Sequence, residues 1–301
     1  MILSKDNLKP MAKNSGFKMD GYFVWCGSVI KEKETYYLFA ARWSNQKTFP
    51  DGYMTDSEIV LAKTDDLSKP FQYVKTVISK RDEKYWDGGM AHNPFIMKAD
   101  GKFVLFYIGT VGGSSEKRSI GYAVSDTVDG EYIRSDKPIN LPPNANNPAV
   151  LRKDDGSYLL YFRDGKLKVS VAKADNYDGE FEVLKYDILP KGRVEDMFAY
   201  YEDGKIHLLA EDNEGKYTGV ERAGVHMVSD NGVDFTEADP VMAYDFDVTY
   251  DTGEKITFQR RERPMILKDG SKTYLFTTAK YGGEDKLTGG TTWNTVQEIK
   301  L

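Results

Sequence analysis

The chain has 301 residues, a formal net charge of -6 and one cysteine, Cys26. Lys and Arg are scattered among Asp and Glu, leaving no basic face to neutralise a phosphate backbone, so nucleic acid is excluded as an expected partner. A lone cysteine closes no internal disulfide, and no Cys/His cluster has structural zinc spacing, so stability has to come from packing.

The opening stretch, "MILSKDNLKPMAKNSG", lacks an apolar core of signal-peptide length, and no run of about 20 apolar residues follows anywhere. The sequence therefore predicts a soluble cytoplasmic protein without a membrane partner, or a secreted or periplasmic one if a signal peptide has been removed. Aromatic residues make up 13% of the chain, a bias that favours strands and also suits sugar-stacking surfaces.

Taken in chain order, the elements repeat. The apolar strand "GSVIKE" turns into "KETYYLFAARW" and is followed by "SEIVLAKTDDLSKPFQYV". The same succession returns as "NPFIMKA", "DGKFVLFYIGT" and "SIGYAVSDTVDGEYIRS", and again as "NPAVLRK", "DGSYLLYFRDG" and "LKVSVAKADNYDGEFEVL". A fourth unit reads "DMFAYYE", "DGKIHLLAED" and "AGVHMVSDNGVDFTEA", and a fifth reads "RPMILKD" and "DGSKTYLFTTA" before ending loosely in "TTWNTVQEIKL". Each unit is three or four antiparallel strands joined by Asp-Gly and Asn-Gly turns, with no amphipathic helix.

One such unit cannot bury both of its faces, whereas five arranged radially bury them against one another. The expected fold is all-β, a single five-bladed β-propeller with a central funnel. Its blades fall at roughly 20–80, 86–135, 143–188, 193–240 and 256–301. A sandwich has no reason to repeat its sequence.

In a propeller the innermost strands line one channel, so equivalent positions converge although they are far apart in sequence. Anchored at Gly27, Pro94, Pro148, Met197 and Pro264, the preceding position holds Cys26, Asn93, Asn147, Asp196 and Arg263. One residue earlier stand Trp25, His92, Asn146, Glu195 and Glu262. These slots hold diverse polar and ionisable groups where mere repetition predicts similar structural ones, which marks them as a substrate site. Asn146 and Asn147 fit a water-filled plug as well as a ligand contact. Trp25 fits a core plug as well as an aromatic floor. His92, set before Asn-Pro, reads as functional, whereas His207 and His226 alternate with core residues and read as structural.

Asp196 and Glu262, with Glu195 adjacent, are the raw material of glycosidic bond cleavage, in which one carboxyl donates a proton and another activates water or attacks the anomeric carbon. Arg263 beside a carboxylate holds it ionised, and poor solvation beside Trp25 raises its pKa. The competing reading is that Glu262 pairs with the "RRER" charges to pin its strand.

The motifs "WCGSVI", "HNPFI", "VEDMF" and "RERPMI", with the "YYLF" type second strands, resemble the five-bladed propeller glycoside hydrolases, a group that includes families 43, 117, 32, 68 and 130. The resemblance implies three acidic residues from different blades acting as base, acid and orienting group. Asp196 and Glu262 match two of them by position. Blade one departs from family 43, with Cys26 where an aspartate is usual, which leaves Asp20 as the implied base and Asp87, beside Trp86 as a sugar platform, as its rival. Family 117 implies His92 as a candidate acid, and Arg42 and Trp43, at the end of the first "YYLF" strand, read as a hydrogen-bonding clamp and an aromatic wall.

The resulting expectation is an exo-acting, inverting hydrolase on a small oligosaccharide that requires no cofactor, although an axial metal ion is compatible with the group. Catalysis falls to Asp20, Asp196 and Glu262. Binding falls to Trp25, Arg42, Trp43, Asp87, His92, Asn93, Asn147, Glu195 and Arg263. The alternatives are a family 130-like phosphorylase, with Arg260, Arg261 and Arg263 on phosphate, and a non-catalytic glycan-binding propeller.

Overall fold

The computed structural model describes residues 2–111, 118–285 and 288–300. Their strands form five successive antiparallel sheets, the blades of a propeller, and a two-stranded ribbon, Asp247–Thr249 with Lys255–Thr257, that precedes the fifth. The innermost strands are Tyr22–Glu32, Met90–Ala99, Asn146–Arg152, Val194–Glu202 and Arg260–Asp269. Each pairs with a second strand that is sandwiched between neighbouring blades, and the burial follows from that position. Lys102–Thr110 is buried at every residue after the first, whereas the outer strand Gln72–Ile78 buries only Ile78.

The Asp-Gly pairs turn the hairpins as expected. Asp100-Gly101 and Asp203-Gly204 both take positive φ at the two central positions (51° and 77°, 52° and 75°). That is the geometry of a type I′ turn, whose twist matches the flanking strands.

Blade five differs from its expected limits. Its sheet contains Arg260–Asp269, Lys272–Tyr281 and Thr291–Ile299, and the N-terminal segment supplies the outer edge. Lys9 N donates to Glu298 O (2.9 Å), Lys300 N to Asn7 O (2.7 Å), and Phe17 and Asn294 exchange backbone bonds at 2.9 Å each. Joining the two ends of the chain in one sheet closes the ring, and covers an edge that would otherwise present unpaired donors and acceptors.

One helix contradicts the expectation of none. Phe49–Asp56 follows the second strand of blade one, with Thr48 as N-cap accepting from Asp51 N and Pro50 in the first turn. The signal, Thr-Phe-Pro-Asp, is a cap followed by a proline whose missing N–H costs nothing there. It has no apolar periodicity to betray it, and it lies over one end of the channel.

Candidate active site

The five residues before the anchors share one backbone conformation. Cys26, Asn93, Asn147, Asp196 and Arg263 have φ of 53°, 53°, 55°, 62° and 58°. At each of these points the pairing with the second strand shifts register. These are β-bulges, which re-aim a side chain and are paid for in left-handed strain of about 1–2 kcal/mol per non-glycine residue. Repeated on five blades, they turn five side chains inward.

Those side chains meet. Cys26 Sγ donates to Asn93 Oδ1 (3.0 Å), Asn93 Nδ2 to Asn147 Oδ1 (3.0 Å), and Asn147 Nδ2 to Asp196 Oδ1 (2.6 Å). Arg263 Nη2 then pairs with Asp196 Oδ1 at 2.9 Å. The residues one step earlier rise above this floor as walls of a cavity of about 320 Å³, at the lower end of the roughly 300–1,000 Å³ of small-molecule sites.

One side of the cavity is acidic. Oxygens of Asp196, Glu262 and Glu211 lie within 4.8 Å of one another, all in buried residues. Burial pushes the Asp196 pKa up, against the Arg263 charge and with help from the Glu262 charge. Burial also raises Glu211 well above the ordinary carboxylate value, reinforced by Glu262 and Asp196. Arginines answer the cluster: Arg222 Nη1 reaches Glu211 Oε1 at 2.6 Å and Glu262 Oε1 at 3.5 Å, and Arg260 Nε donates to Glu262 Oε1 at 2.5 Å. Glu195 stands apart, in an ion pair with Arg163 and accepting from Asn213 Nδ2 at 2.7 Å.

The opposite side is aromatic. Trp25, Trp43, Phe49 and Tyr53 line it together with His92. Arg260 covers one face of Trp25, 5.2 Å from the ring centroid, so Trp25 is a packed wall with one face already occupied. His92 is fixed by Ser57 Oγ at 2.8 Å from Nδ1 and by Cys26 Sγ at 3.4 Å from Nε2. Burial, then the charges of Arg263 and Arg118, hold its pKa well below the usual histidine value, which keeps the ring neutral and unsuited to the acid role. Burial likewise pushes the Cys26 thiol up to about 12, so it is a hydrogen-bond donor and not a nucleophile.

No family model matches the chain, and no curated protein matches it. Solved structures do match. One described as a glycoside hydrolase gives a TM-score of 0.76 at 13% identity, over 99% of this chain and 93% of that one. CoXyl43, a family 43 β-xylosidase/α-arabinofuranosidase from a compost microbial metagenome solved with xylotriose, gives 0.69 at 16% identity, over 99% and 95%. Zg3597, a family 117 glycoside hydrolase of the marine bacterium Zobellia galactanivorans, gives 0.68 at 15% identity, over 94% and 88%. The chain has the fold of the propeller glycoside hydrolases.

Within that hydrolase fold, most of the expected residues converge. Trp25, Trp43, His92, Asn93 and Asn147 line the cavity, as do Glu195, Asp196, Glu262 and Arg263. Three do not. Asp20 is exposed in the turn before the first strand and is not among the lining residues. Arg42 points to the other side of its strand from Trp43, donating to Glu58 (2.8 Å) and Thr76 (3.2 Å) between the rings of Tyr22 and Tyr73. Asp87 is fully buried in a network with Arg81, Arg134 and the Tyr107 hydroxyl, and its neighbour Trp86 packs on Tyr107 and donates to Ser135 O. Both serve the sheet of blade two.

The arginine trio expected for phosphate does not assemble either. Arg261 turns away, donating to Thr277, Asp245 O and Gln297 over the Tyr244 ring, while Arg260 and Arg263 are held by carboxylates. Sequence reasoning missed Glu211, Arg222, Arg163 and Arg118. A signal for two of them existed: opposite Glu195 and Asn146 on the second strands stand Glu211 and Arg163, charged residues at the inner end of otherwise apolar runs.

The three clustered carboxylates have the hard oxygen donors that a divalent cation uses. Each already faces a guanidinium, so an ion there would sit against Arg222, Arg260 and Arg263. The donor set suits a proton-sharing acid cluster better than a metal centre. Among the described residues no helix is long and apolar enough to cross a membrane.

Proposed function

We propose that the protein is a glycoside hydrolase that removes a terminal sugar from a small oligosaccharide. The observation that carries this reading is the meeting, in one cavity, of a buried carboxyl of raised pKa with arginine-paired carboxylates and an aromatic wall. Likeness to propeller hydrolases, two of them solved with xylose or xylotriose, supports the substrate class. The short helix supports attack at a chain end, because Phe49, Pro50 and Tyr53 wall one side of the cavity.

Asp196 is the general acid. It lines the cavity, and its raised pKa keeps the proton that the leaving oxygen needs. Burial, with the neighbouring Glu262 charge, holds that proton in place, since three carboxylates so close together do not all ionise. An inverting reaction needs a base about 6.5–9.5 Å from the acid to admit water. Glu262, with oxygen within 4.8 Å of Asp196, is nearer than that, and we assign the base to the remaining lining carboxylate, Glu195. Its ion pair with Arg163 is the form that accepts a proton.

A screen of aryl glycosides and natural oligosaccharides tests the reading, with wild type beside Asp196→Asn and Glu262→Gln. Cleavage by wild type and loss in both variants is expected. Full activity in both variants on a substrate that wild type cleaves would disprove the site, and an unresponsive wild type that still binds sugar would mark a binding propeller.

A further inference from the structure

Four arginines and three carboxylates line the cavity. Arg163 is paired with Glu195, Arg260 with Glu262 and Arg263 with Asp196. Arg118, the first residue of the third strand of blade two, has no carboxylate partner among the described residues, and its Nε is buried without a hydrogen-bond acceptor. A buried N–H left without an acceptor is costly, and that cost is removed when a ligand oxygen accepts from it.

Two neighbours register the surplus. The charges of Arg263 and Arg118 bear on His92 after burial, and Arg118 also adds to the lowering of Arg163. The cavity of a protein of net charge -6 is thus locally positive on the side of blades two and three. The acid cluster lies across it, on blades four and five.

We infer that Arg118 is the anchor of an oxyanion subsite, and that the sugar taken by this pocket carries a ring carboxylate, as a uronic acid does. A planar guanidinium offers two parallel N–H donors to a carboxylate. The match is one of charge as well as shape. Arg118 is the lining guanidinium that no protein carboxylate meets among the described residues, and one carboxylate of a ligand pairs with one guanidinium; the other three already lie against protein carboxylates. Arg118 touches substrate in this account without taking part in proton transfer.

The inference rests on the glycosidase reading for its ligand class, but its test needs no turnover. Binding of galacturonate and glucuronate is compared by calorimetry with binding of galactose, glucose and inorganic phosphate, in wild type, Arg118→Gln and Arg118→Lys, each checked for an unchanged melting transition. A uronate preference of about tenfold or more over the matched neutral sugar is expected, lost in Arg118→Gln and partly kept in Arg118→Lys, with neutral-sugar affinity unmoved. Equal binding of charged and neutral sugars, or a preference that survives Arg118→Gln, overturns it. So does phosphate binding that depends on Arg118 with no uronate preference. Uronate binding without cleavage of any uronide would instead fail the hydrolase reading alone, and cleavage of neutral glycosides without uronate preference would fail this inference alone.

Discussion

Asn147 Nδ2 donates to Asp196 Oδ1 at 2.6 Å, and both residues stand in left-handed backbone, at φ of 55° and 62°. The bond joins blades three and four at the floor of the cavity. It ties the carboxyl proposed as acid to a chain of side chains that begins at Cys26, so its position is set by the bulges of four blades and not by its own strand.

Loss of the proposed acid or base is the most direct check. Asp196→Asn and Glu195→Gln should each lower kcat by about 10²–10⁴ on a good substrate, with little change in the melting temperature. Azide should restore turnover in Glu195→Gln, and NMR of the first product should find the inverted anomer. A retained anomer would remove Glu195 from the role of base.

The raised pKa values of Asp196 and Glu211 make stability depend on pH. A carboxyl whose folded pKa lies above its unfolded one binds more protons when folded. Its contribution is complete below the ordinary carboxylate range and is lost as pH rises through the folded value. Glu211→Gln removes one such group while keeping its shape. The variant should gain melting temperature relative to wild type as pH rises from 5 to about 8, and a difference independent of pH would count against it.

His226 gives the opposite sign. Burial lowers its pKa from 6.5 to about 4, so its contribution is complete above 6.5 and is lost as pH falls through that interval. It accepts from Leu3 N at 3.1 Å and meets His207 at 2.9 Å, which ties the N-terminal segment to blade four. Hydrogen-exchange protection at residues 2–11, taken relative to the intrinsic rate at each pH, should therefore fall on acidification toward pH 4 before the rest of the fold opens.

Asp87 is a stability residue in the structure. Asp87→Ala leaves the half-buried Arg81 and Arg134 and the Tyr107 hydroxyl without their shared acceptor and should cost about 1–3 kcal/mol, read as a lowered denaturation midpoint. KM of the folded fraction should stay within twofold, about the scatter of such a measurement, whereas a sugar-binding Asp87 would move KM first.

Chelation is expected to leave activity unchanged. With Arg222, Arg260 and Arg263 facing the clustered carboxylates, prolonged dialysis against EDTA should not alter kcat or melting temperature. A drop that calcium restores would show that an ion does occupy the cluster.

The sequence by itself determined the repeat, and through it the blades and the converging slots. Turn chemistry and strand alternation are local, so they were legible one unit at a time, and the five slot residues before the anchors are the same five that take left-handed φ. What tertiary structure decided was direction and partnership. Arg42 and Trp43 are adjacent in sequence, yet strand alternation sends one to Glu58 and the other to the cavity. Asp87 resembled a loop ligand until folding brought Arg134 to it, and Asp20 lay near the first strand but outside the ring of lining residues. Glu211 entered because a second strand reaches the pocket behind Asp196, a contact between Cβ directions that spacing along the chain does not encode. Charge pairing across blades is likewise invisible in a linear sequence. It leaves Arg118 as the cavity guanidinium without a carboxylate among the described residues, because Arg163 and Arg263 each meet a carboxylate of blade four only when the blades pack, and Arg260 meets Glu262 of its own strand.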